Sequence, residues 1–360
     1  MTVTEHAERR LLVASDLAGR QLDGLLVSSS ANIRYLTGFT GSDGLLLLLP
    51  GQAVLFTDPR YGLQAAGEVD CKVRVERGSL PLAVTKWIRG KRMRRLGLEG
   101  ANLTHEAFLA LDGRAPATLK LVPTSDLVET RRMVKSPREI GLIRRSVLTN
   151  AEAFVQTIPL IRPGISEIDL AAELDYRMRK LGAEKPAFDS IVASGARSAL
   201  PHASPTPKTL AANELLLIDM GALRDGYSSD MTRMAFLGRP SSKVRRLYRA
   251  VLEAQLAAIA AVRENVTAEA IDRAARRVLR QHGLERAFVH STGHGLGLEV
   301  HERPRLGRKD RTRLQAGMAI TIEPGVYLQE FGGIRIEDTV VVTRNGCEIL
   351  TPTSKELLAL

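Results

Sequence analysis

Apolar residues in the N-terminal third of the chain come in short runs that alternate with amphipathic stretches. Runs rich in Leu and Val and bounded by glycine or polar residues are typical of strands. Amphipathic stretches that begin near Pro59 and Pro81 are typical of helices, because proline fits the first helical turn. Residues 1–125 are therefore predicted to form an α/β domain, with strands over 24–28, 45–49, 53–57, 72–76 and 96–99 and helices over 59–67, 81–89 and 104–112.

The pattern changes after residue 125, and we interpret residues 126–135 as a linker. Ser136 and Pro137 then begin a long helix as its N-cap and first helical residue. Because helices and hairpins occupy separate blocks, residues 136–360 are predicted to form an α+β domain. The predicted helices are 136–158, 167–180, 241–262 and 267–281, and the predicted strands are 215–220, 228–236, 319–323, 334–342 and 348–350.

Composition excludes several classes of protein. The chain is 44% hydrophobic and 25% charged, which is typical of a globular protein. Cys71 and Cys347 are too few and too far apart for a disulfide framework or a thiolate zinc site, which favours a reducing cytoplasm. No apolar run approaches the roughly 20 residues of a membrane helix, and the opening residues lack the apolar core of a signal peptide. We therefore expect a cytoplasmic protein with no membrane partner.

The chain carries a net charge of +11, from 51 basic and 40 acidic residues. This excess is spread along both predicted domains, apart from one basic cluster at 89–95 that we interpret as a solvated loop. Nucleic-acid-binding proteins concentrate their charge on one face and add aromatic residues or a known motif. Aromatic residues make up only 4% of this chain and no such motif is present, so we expect no nucleic-acid partner.

Four acidic residues lie among apolar residues in predicted strands: Asp219, Asp230, Glu323 and Glu337. Acidic side chains normally lie outside, so this placement is unusual. The first two are equidistant from a turn centred between positions 224 and 225, and the last two from position 330. In a hairpin, equidistant residues face each other with Cβ atoms roughly 4.5–5.5 Å apart. Two such carboxylate pairs predict an internal duplication that closes on one cationic centre, because buried carboxylates repel without a cation.

Histidine completes this donor set. The segment 290–302 contains His290, His294 and His301, and Gly293 and Gly295 flank the second of them. Imidazole with carboxylates suits Mn²⁺, Co²⁺, Zn²⁺ or Fe²⁺, and four carboxylates provide enough charge for two ions. Any one of these residues alone is typical of a turn, a salt bridge or a hydrogen-bonded histidine. Two symmetric carboxylate pairs with an intervening histidine predict a dinuclear metal site.

At these residues the sequence resembles the aminopeptidase P/prolidase family of dinuclear metallopeptidases. The motifs that carry the resemblance are 217–221, 229–233, 293–301, 321–325 and 333–338, with a weaker match at 32–39. The resemblance implies a creatinase-type α/β domain followed by an α+β pita-bread (creatinase/aminopeptidase-like) catalytic domain with pseudo-two-fold symmetry. It also implies the five metal ligands Asp219, Asp230, His294, Glu323 and Glu337, of which Asp230 and Glu337 would bridge both ions.

The resemblance extends to residues around the metals. His202 and His301 match substrate-facing histidines with a catalytic role, and His290 matches a histidine of the substrate pocket. Arg335 matches the arginine on the last metal-binding strand, where it shares a face with Glu337. Arg335 could contact the substrate or, equally, be the partner of a ligand carboxylate. His202 and His290 taken alone would be ordinary hydrogen-bonded histidines.

The activity that the resemblance implies is hydrolysis of the bond before a proline at the second position of a peptide. Glu323 would act as the base, with His202, His301 and Arg335 as further catalytic residues, and two divalent ions, Mn²⁺ first among them, as cofactors. We expect an Xaa-Pro aminopeptidase, with an Xaa-Pro dipeptidase (prolidase) as the alternative and a methionine aminopeptidase as the third. A metal-free binding module is the alternative from another class. A homodimer or higher homo-oligomer is the default expectation.

Overall fold

The computed structural model describes residues 4–360. The chain divides into two compact units, Met1–Arg132 and Met133–Leu360. The segment 126–135, interpreted from the sequence as a linker, contains a short helix, Glu129–Arg132, at the end of the first unit.

The first unit is built on one mixed six-stranded sheet. Its strands are β1 (Gly24–Val27), β2 (Gly44–Leu49), β3 (Gln52–Thr57), β4 (Lys72–Val75), β5 (Arg95–Glu99) and β6 (Lys120–Thr124), in the order β4-β3-β2-β1-β5-β6. Strand β2 is antiparallel to both neighbours, whereas β1, β5 and β6 run parallel. Leu26, Leu47, Phe56 and Leu96 are fully or almost fully buried in this sheet. The predicted α/β class is confirmed, and the five predicted strands are present.

The helices of the first unit are α1 (Glu5–Gly19), α2 (Ser30–Thr37), α3 (Gly62–Glu68), α4 (Leu80–Ile88), α5 (His105–Asp112) and α6 (Glu129–Arg132). Helices α1, α2 and α6 and strand β6 lie outside the elements predicted from the sequence. Helix α1 has a clear local cause, since Thr4 caps it by accepting from the Ala7 amide and two glutamates lie in its first turn.

Four helices of the second unit confirm the predicted ones: α7 (Pro137–Thr157), α8 (Glu167–Lys180), α9 (Ser242–Ala261) and α10 (Ala268–Gln281). Helix α7 begins with a full capping box. Ser136 accepts from the Glu139 amide, and the Glu139 side chain accepts from the Ser136 amide. This local signal fixes the start of the helix without tertiary contacts.

The predicted strand 215–220 is present with the same bounds, whereas the chain leaves other predicted strands at some of the acidic positions. The strands of the second unit are β7 (Lys185–Pro186), β8 (Ile191–Ser194), β9 (Leu215–Met220), β10 (Ala222–Arg224), β11 (Tyr227–Ser228), β12 (Met231–Phe236), β13 (Gly293–Gly295), β14 (Glu302–Leu306), β15 (Ala319–Ile322), β16 (Gly325–Leu328), β17 (Gly332–Arg335), β18 (Asp338–Val342), β19 (Cys347–Ile349) and β20 (Leu358–Ala359). The predicted strands 228–236 and 334–342 are therefore each two strands.

Two halves of this unit repeat the same arrangement with pseudo-two-fold symmetry. In the first half, helices α7 and α8 accompany the sheet β20-β12-β9-β8, and in the second half α9 and α10 accompany the sheet β14-β13-β15-β18-β19. A small antiparallel hairpin extends from each sheet, β10/β11 in the first half and β16/β17 in the second. Leu217, Val251, Ala275, Ile320 and Val340 belong to one buried cluster that joins both halves.

None of the helices between residues 4 and 360 combines the length and the apolar character that a membrane span requires.

Candidate metal centre

The four acidic residues lie at the points where the sheets pass into their hairpins. Asp219 is the penultimate residue of β9, and Asp230 separates β11 from β12. Glu323 separates β15 from β16, and Glu337 separates β17 from β18. The ladder is interrupted at Asp230, Glu323 and Glu337, whereas Asp219 lies within the paired part of β9.

The predicted register of the first hairpin is wrong by two residues. Asp219 lies opposite Thr232, and Asp230 is not its cross-strand partner. The turn is centred on Asp225 and Gly226, which both have positive φ angles of 52° and 79°. An Asp-Gly pair is the signature of such a hairpin turn. Since a shift of two residues keeps every side chain on its face, Asp219 and Asp230 still face the same side.

The second pair follows the predicted geometry more closely. Ile322 is paired with Asp338, so Glu323 and Glu337 follow in the same register just beyond the last pair of the ladder. Their symmetric spacing about residue 330 therefore does correspond to the pairing of β15 with β18.

One histidine brings these carboxylates to a common point. His294 Nε2 lies 3.4 Å from Glu323 Oε1 and 3.6 Å from Asp230 Oδ2. Ligand atoms of Asp230, His294 and Glu337 all lie within 4.8 Å of one another. The Nδ1 atom of His294 is 2.9 Å from the Gly295 carbonyl oxygen, which can only accept, so this nitrogen carries the proton. The Nε2 lone pair therefore faces the carboxylates.

Glycines allow this close approach. A Cβ atom on Gly293 would lie 1.9 Å from the Thr321 carbonyl oxygen, and one on Gly295 would lie 2.1 Å from that of Arg303. Any side chain at these two positions would push the His294 strand away from its neighbours on both sides.

Burial and mutual repulsion dominate the electrostatics of the group. Burial, followed by the charges of neighbouring carboxylates, raises the pKa values of Asp230 and Glu337 well above normal. Burial also raises the pKa of Glu323 to about 8. Burial, followed by the charge of His301, lowers the pKa of His294 to about 4. Four carboxylates gathered in this way are stable in their charged form only with added positive charge.

Two atoms show that divalent cations fit this site. Asp219 Oδ1 and Glu337 Oε1 are buried and have no hydrogen-bond partner within residues 4–360. Buried polar atoms are normally satisfied. Carboxylate oxygens together with an unprotonated imidazole nitrogen form the donor set of Mn²⁺, Co²⁺, Zn²⁺ and Fe²⁺. The donor set and the unsatisfied oxygens therefore both indicate a site for divalent cations.

Arg335 contributes one positive charge and is committed to Asp219. Its Nη2 donates to Asp219 Oδ2 at 2.6 Å, and its Nε donates to Thr232 Oγ1 at 3.0 Å. The Thr232 hydroxyl in turn donates to Glu337 Oε2 at 2.7 Å. Of the two roles considered for Arg335, the geometry matches the partner of a ligand carboxylate.

His290 lies on the other side of Glu323, and a tyrosine joins it to the arginine. His290 Nδ1 must donate to the Ser291 carbonyl oxygen at 2.8 Å, so Nε2 accepts from the Tyr327 hydroxyl at 2.8 Å. That hydroxyl accepts from Arg335 Nη1 at 2.7 Å. Burial, followed by the charge of Arg335, lowers the pKa of His290 to about 4, which keeps the ring neutral in this chain.

His202 and His301 lie at the open edge of the group, and both are exposed. The His301 ring packs edge-on against the His294 ring, with 4.4 Å between centroids. Burial of its ring, followed by the charge of His202, lowers the pKa of His301. His290 and His301 thus lie near the carboxylates, and His202 lies near these two histidines.

Sequence reasoning missed Tyr327 and Thr232. Tyr327 lies four residues after Glu323 on β16, opposite Gly333. Thr232 lies two residues after Asp230 and so shares its face. Side chains of alternate residues in a strand lie on the same face. Counting in steps of two from Asp230 and from Glu323 therefore indicates Thr232 and Tyr327 as residues of the site.

The pseudo-symmetric fold and the group of buried carboxylates with one histidine define the class of metal-dependent hydrolases. The Metallopeptidase family M24 model matches residues 141–344, and the Creatinase/Prolidase N-terminal domain model matches residues 9–134. The chain belongs to metallopeptidase family M24 and is a metallo-exopeptidase.

Similar proteins cover nearly the whole chain. An Xaa-Pro dipeptidase of Pyrococcus horikoshii is 37% identical over 94% of this chain and 95% of its own length. The solved structure of an Xaa-Pro dipeptidase from Bacillus anthracis is 37% identical, with a TM-score of 0.96 over 99% of this chain and 100% of that one. An X-Pro aminopeptidase from Thermotoga maritima is 37% identical, with a TM-score of 0.88 over 94% of this chain and 98% of that one. These neighbours confirm the creatinase-type domain and the pita-bread catalytic fold expected from the sequence.

Proposed function

We propose that this protein is an Xaa-Pro dipeptidase, which hydrolyses the bond between a first residue and a following C-terminal proline. The observation that carries the proposal is the carboxylate group around His294 in a chain related over nearly its full length to proteins named Xaa-Pro dipeptidase. The sequence-based expectation placed Xaa-Pro aminopeptidase first. The relatives named Xaa-Pro dipeptidase, which include one from Pyrococcus furiosus, favour its alternative.

In this proposal Asp219, Asp230, His294, Glu323 and Glu337 hold two divalent ions, with Mn²⁺ as the proposed metal. When bound, such ions supply Lewis acidity to the scissile carbonyl and make a water more acidic. The unpaired oxygens of Asp219 and Glu337 and the Nε2 lone pair of His294 support these assignments.

The remaining chemistry belongs to side chains of this chain. Glu323 accepts a proton from the attacking water and returns it to the proline nitrogen. His202 and His301, at the open edge, donate hydrogen bonds to the oxygen that becomes negative during attack. Arg335 holds Asp219 in place, and Tyr327 fixes His290 as a neutral wall of the substrate pocket.

A bond before proline is a tertiary amide without an N–H, so a site that hydrolyses it must recognise the ring instead. The test is a hydrolysis panel with the Mn²⁺-loaded enzyme, measured by chromatography of the products. We expect Ala-Pro to be cleaved with a kcat/KM at least tenfold above that for Ala-Pro-Ala, and no cleavage of Ala-Ala. Failure of the metal-loaded enzyme to cleave any Xaa-Pro peptide contradicts the proposal.

The second candidate is an Xaa-Pro aminopeptidase, supported by the likeness to the Thermotoga maritima enzyme. Faster cleavage of Ala-Pro-Ala than of Ala-Pro would favour it. A homodimer in the cytoplasm is also proposed, and sedimentation of the purified chain tests the oligomeric state.

A further inference from the structure

A cleft of about 1040 Å³ opens beside His290 in the catalytic unit. Its walls come from the segments 285–291 and 303–312, together with Arg276 of α10. Pockets of roughly 300–1,000 Å³ enclose drug-sized ligands, so this cleft has room for more than a dipeptide. Seven of its fifteen lining residues are Lys or Arg, and two are Asp or Glu.

The two acidic residues of the cleft are already engaged. Glu285 accepts from Arg280 through both oxygens, at 2.6 and 2.9 Å. Asp310 accepts from the backbone amides of Arg305 and Thr312. Both carboxylates therefore already have partners, and Glu285 also lies 3.8 Å from Arg308.

Four of the cations have no such partner. Arg286, Arg305, Lys309 and Arg311 are exposed, and their side chains make no hydrogen bond or ion pair with any residue of the described range 4–360. Cations gathered along concave walls focus a positive potential into the space between them and attract anions. The chemistry of the cleft therefore selects a ligand with several negative charges.

His290 connects the cleft with the carboxylate group. The residue lines the cleft, and its Nδ1 lies 4.0 Å from Glu323 Oε2. The cleft therefore lies next to the carboxylate group on the side of His290, and none of the five proposed ligands lines it. The ammonium group at the start of a peptide is repelled by the arginines, so the part that enters the cleft is the carboxyl-terminal part.

We infer that the cleft binds acidic side chains that follow the proline of a substrate. The enzyme then accepts peptides longer than two residues when the added residues are acidic. This inference rests on the proposed Xaa-Pro hydrolysis and deepens it. Four free cations on two separate segments exceed what a single terminal carboxylate can engage, which is why the inference extends to acidic side chains.

The kinetic test compares Ala-Pro-Glu-Glu with Ala-Pro-Gln-Gln. For the wild-type enzyme we expect the acidic peptide to have the higher kcat/KM, by about tenfold. The double variant Lys309→Gln/Arg311→Gln should lower this ratio about fivefold, as expected for the loss of two exposed ion pairs, while Ala-Pro turnover stays within twofold. The matched control is Arg239→Gln/Arg344→Gln, which removes two exposed cations outside the cleft and should leave the ratio unchanged. Equal rates for the two peptides in the wild-type enzyme, or an unchanged ratio in the cleft variant, overturn the inference.

A binding measurement separates this inference from the proposed function. Triglutamate, which contains no proline, is titrated into the full-length protein and followed by calorimetry. We expect its Kd to rise about fivefold in the Lys309/Arg311 variant and to stay constant in the control variant. In both proteins, 0.5 M NaCl should weaken the binding of triglutamate. If no Xaa-Pro peptide is cleaved but triglutamate binding follows this pattern, the proposed function fails and the anionic site stands. Absence of binding to the wild-type protein removes the site itself.

Discussion

At the scale of single residues, the centre depends on how each hydrogen-bond partner sets the chemistry of the next. The Gly295 carbonyl fixes the proton of His294 on Nδ1, and this leaves Nε2 toward the carboxylates. In the same way, the Ser291 carbonyl fixes the tautomer of His290, which then accepts from Tyr327. Arg335 completes the chain of contacts through Tyr327 and Asp219.

Glu323→Gln tests the proposed base. Since the amide cannot accept the proton, kcat for Ala-Pro should fall by about 10²–10⁴-fold. Metal content must be measured in parallel by plasma mass spectrometry, because Glu323 is also a proposed ligand. The control is Glu330→Gln, an exposed acid in the loop between β16 and β17. Turnover near the wild-type rate with metal bound would remove Glu323 as the base.

Tyr327→Phe tests the contact that sequence reasoning missed. The change removes the donor to His290 and the acceptor of Arg335, so the free energy of unfolding should fall by about 1–2 kcal/mol. We also expect kcat to fall about tenfold, because His290 loses the group that orients it. Urea unfolding and steady-state kinetics measure the two effects, and the exposed Tyr176→Phe is the control. A variant as stable and as active as the wild type would show that this chain of contacts is not needed.

At the scale of elements, the loop that carries His202 is fixed from the start of a helix. Glu167 is the first residue of α8 and is fully buried. It accepts from the amide and hydroxyl of Ser194, from the amide and hydroxyl of Thr206 and from Arg197 Nε. Both ends of the segment that contains His202 are therefore bound to one carboxylate, and these hydrogen bonds lower its pKa despite burial.

Glu167→Gln should loosen this segment. The amide can accept through only one of its oxygen positions, so buried donors lose their partner and the free energy of unfolding should fall by about 1–3 kcal/mol. Displacement of His202 should also lower kcat/KM for Ala-Pro. Glu173→Gln, on the same helix but in a surface ion pair, should cost about 0.5 kcal/mol or less. The prediction is wrong if the two variants unfold at the same urea concentration.

Hairpin registers show where local patterns are insufficient. Spacing alone placed Asp219 opposite Asp230, whereas the Asp225-Gly226 turn moves the register by two residues. Glycine and aspartate tolerate the positive φ angles of this turn, so the turn type and not the midpoint between acids decides the pairing.

At the scale of the whole molecule, the fold gathers like charges and therefore depends on cations. The pKa of Glu323 is raised to about 8, so the native state holds a proton that the unfolded state has lost. Stability of the metal-free protein should then decrease as pH rises toward 8. The pKa values of His294 and His290 are lowered to about 4, so these two residues make stability increase with pH. Their effect is confined to pH values below about 6.5.

Metal removal tests this balance. In EDTA, the unfolding free energy should fall between pH 6.5 and 8.5, where Glu323 loses its proton in the native state. Adding Mn²⁺ at about 100 times its Kd should raise stability by about 2.7 kcal/mol per occupied site, and it should reduce the pH dependence. Thermal unfolding at both pH values, with and without Mn²⁺, measures this. Equal stability of the metal-free protein at both pH values would contradict the predicted repulsion.

The sequence by itself determined the α/β and α+β classes, the four helices of the catalytic unit and the chemical identity of the acidic and histidine residues. These features depend on local signals such as the Ser136 capping box, on hydrophobic periodicity and on the types of side chain. Only the tertiary structure decided the hairpin register, the strand breaks, the commitment of Arg335 to Asp219 and the cleft between 285–291 and 303–312. Each of these depends on contacts between segments far apart in the chain, and no local pattern records those distances.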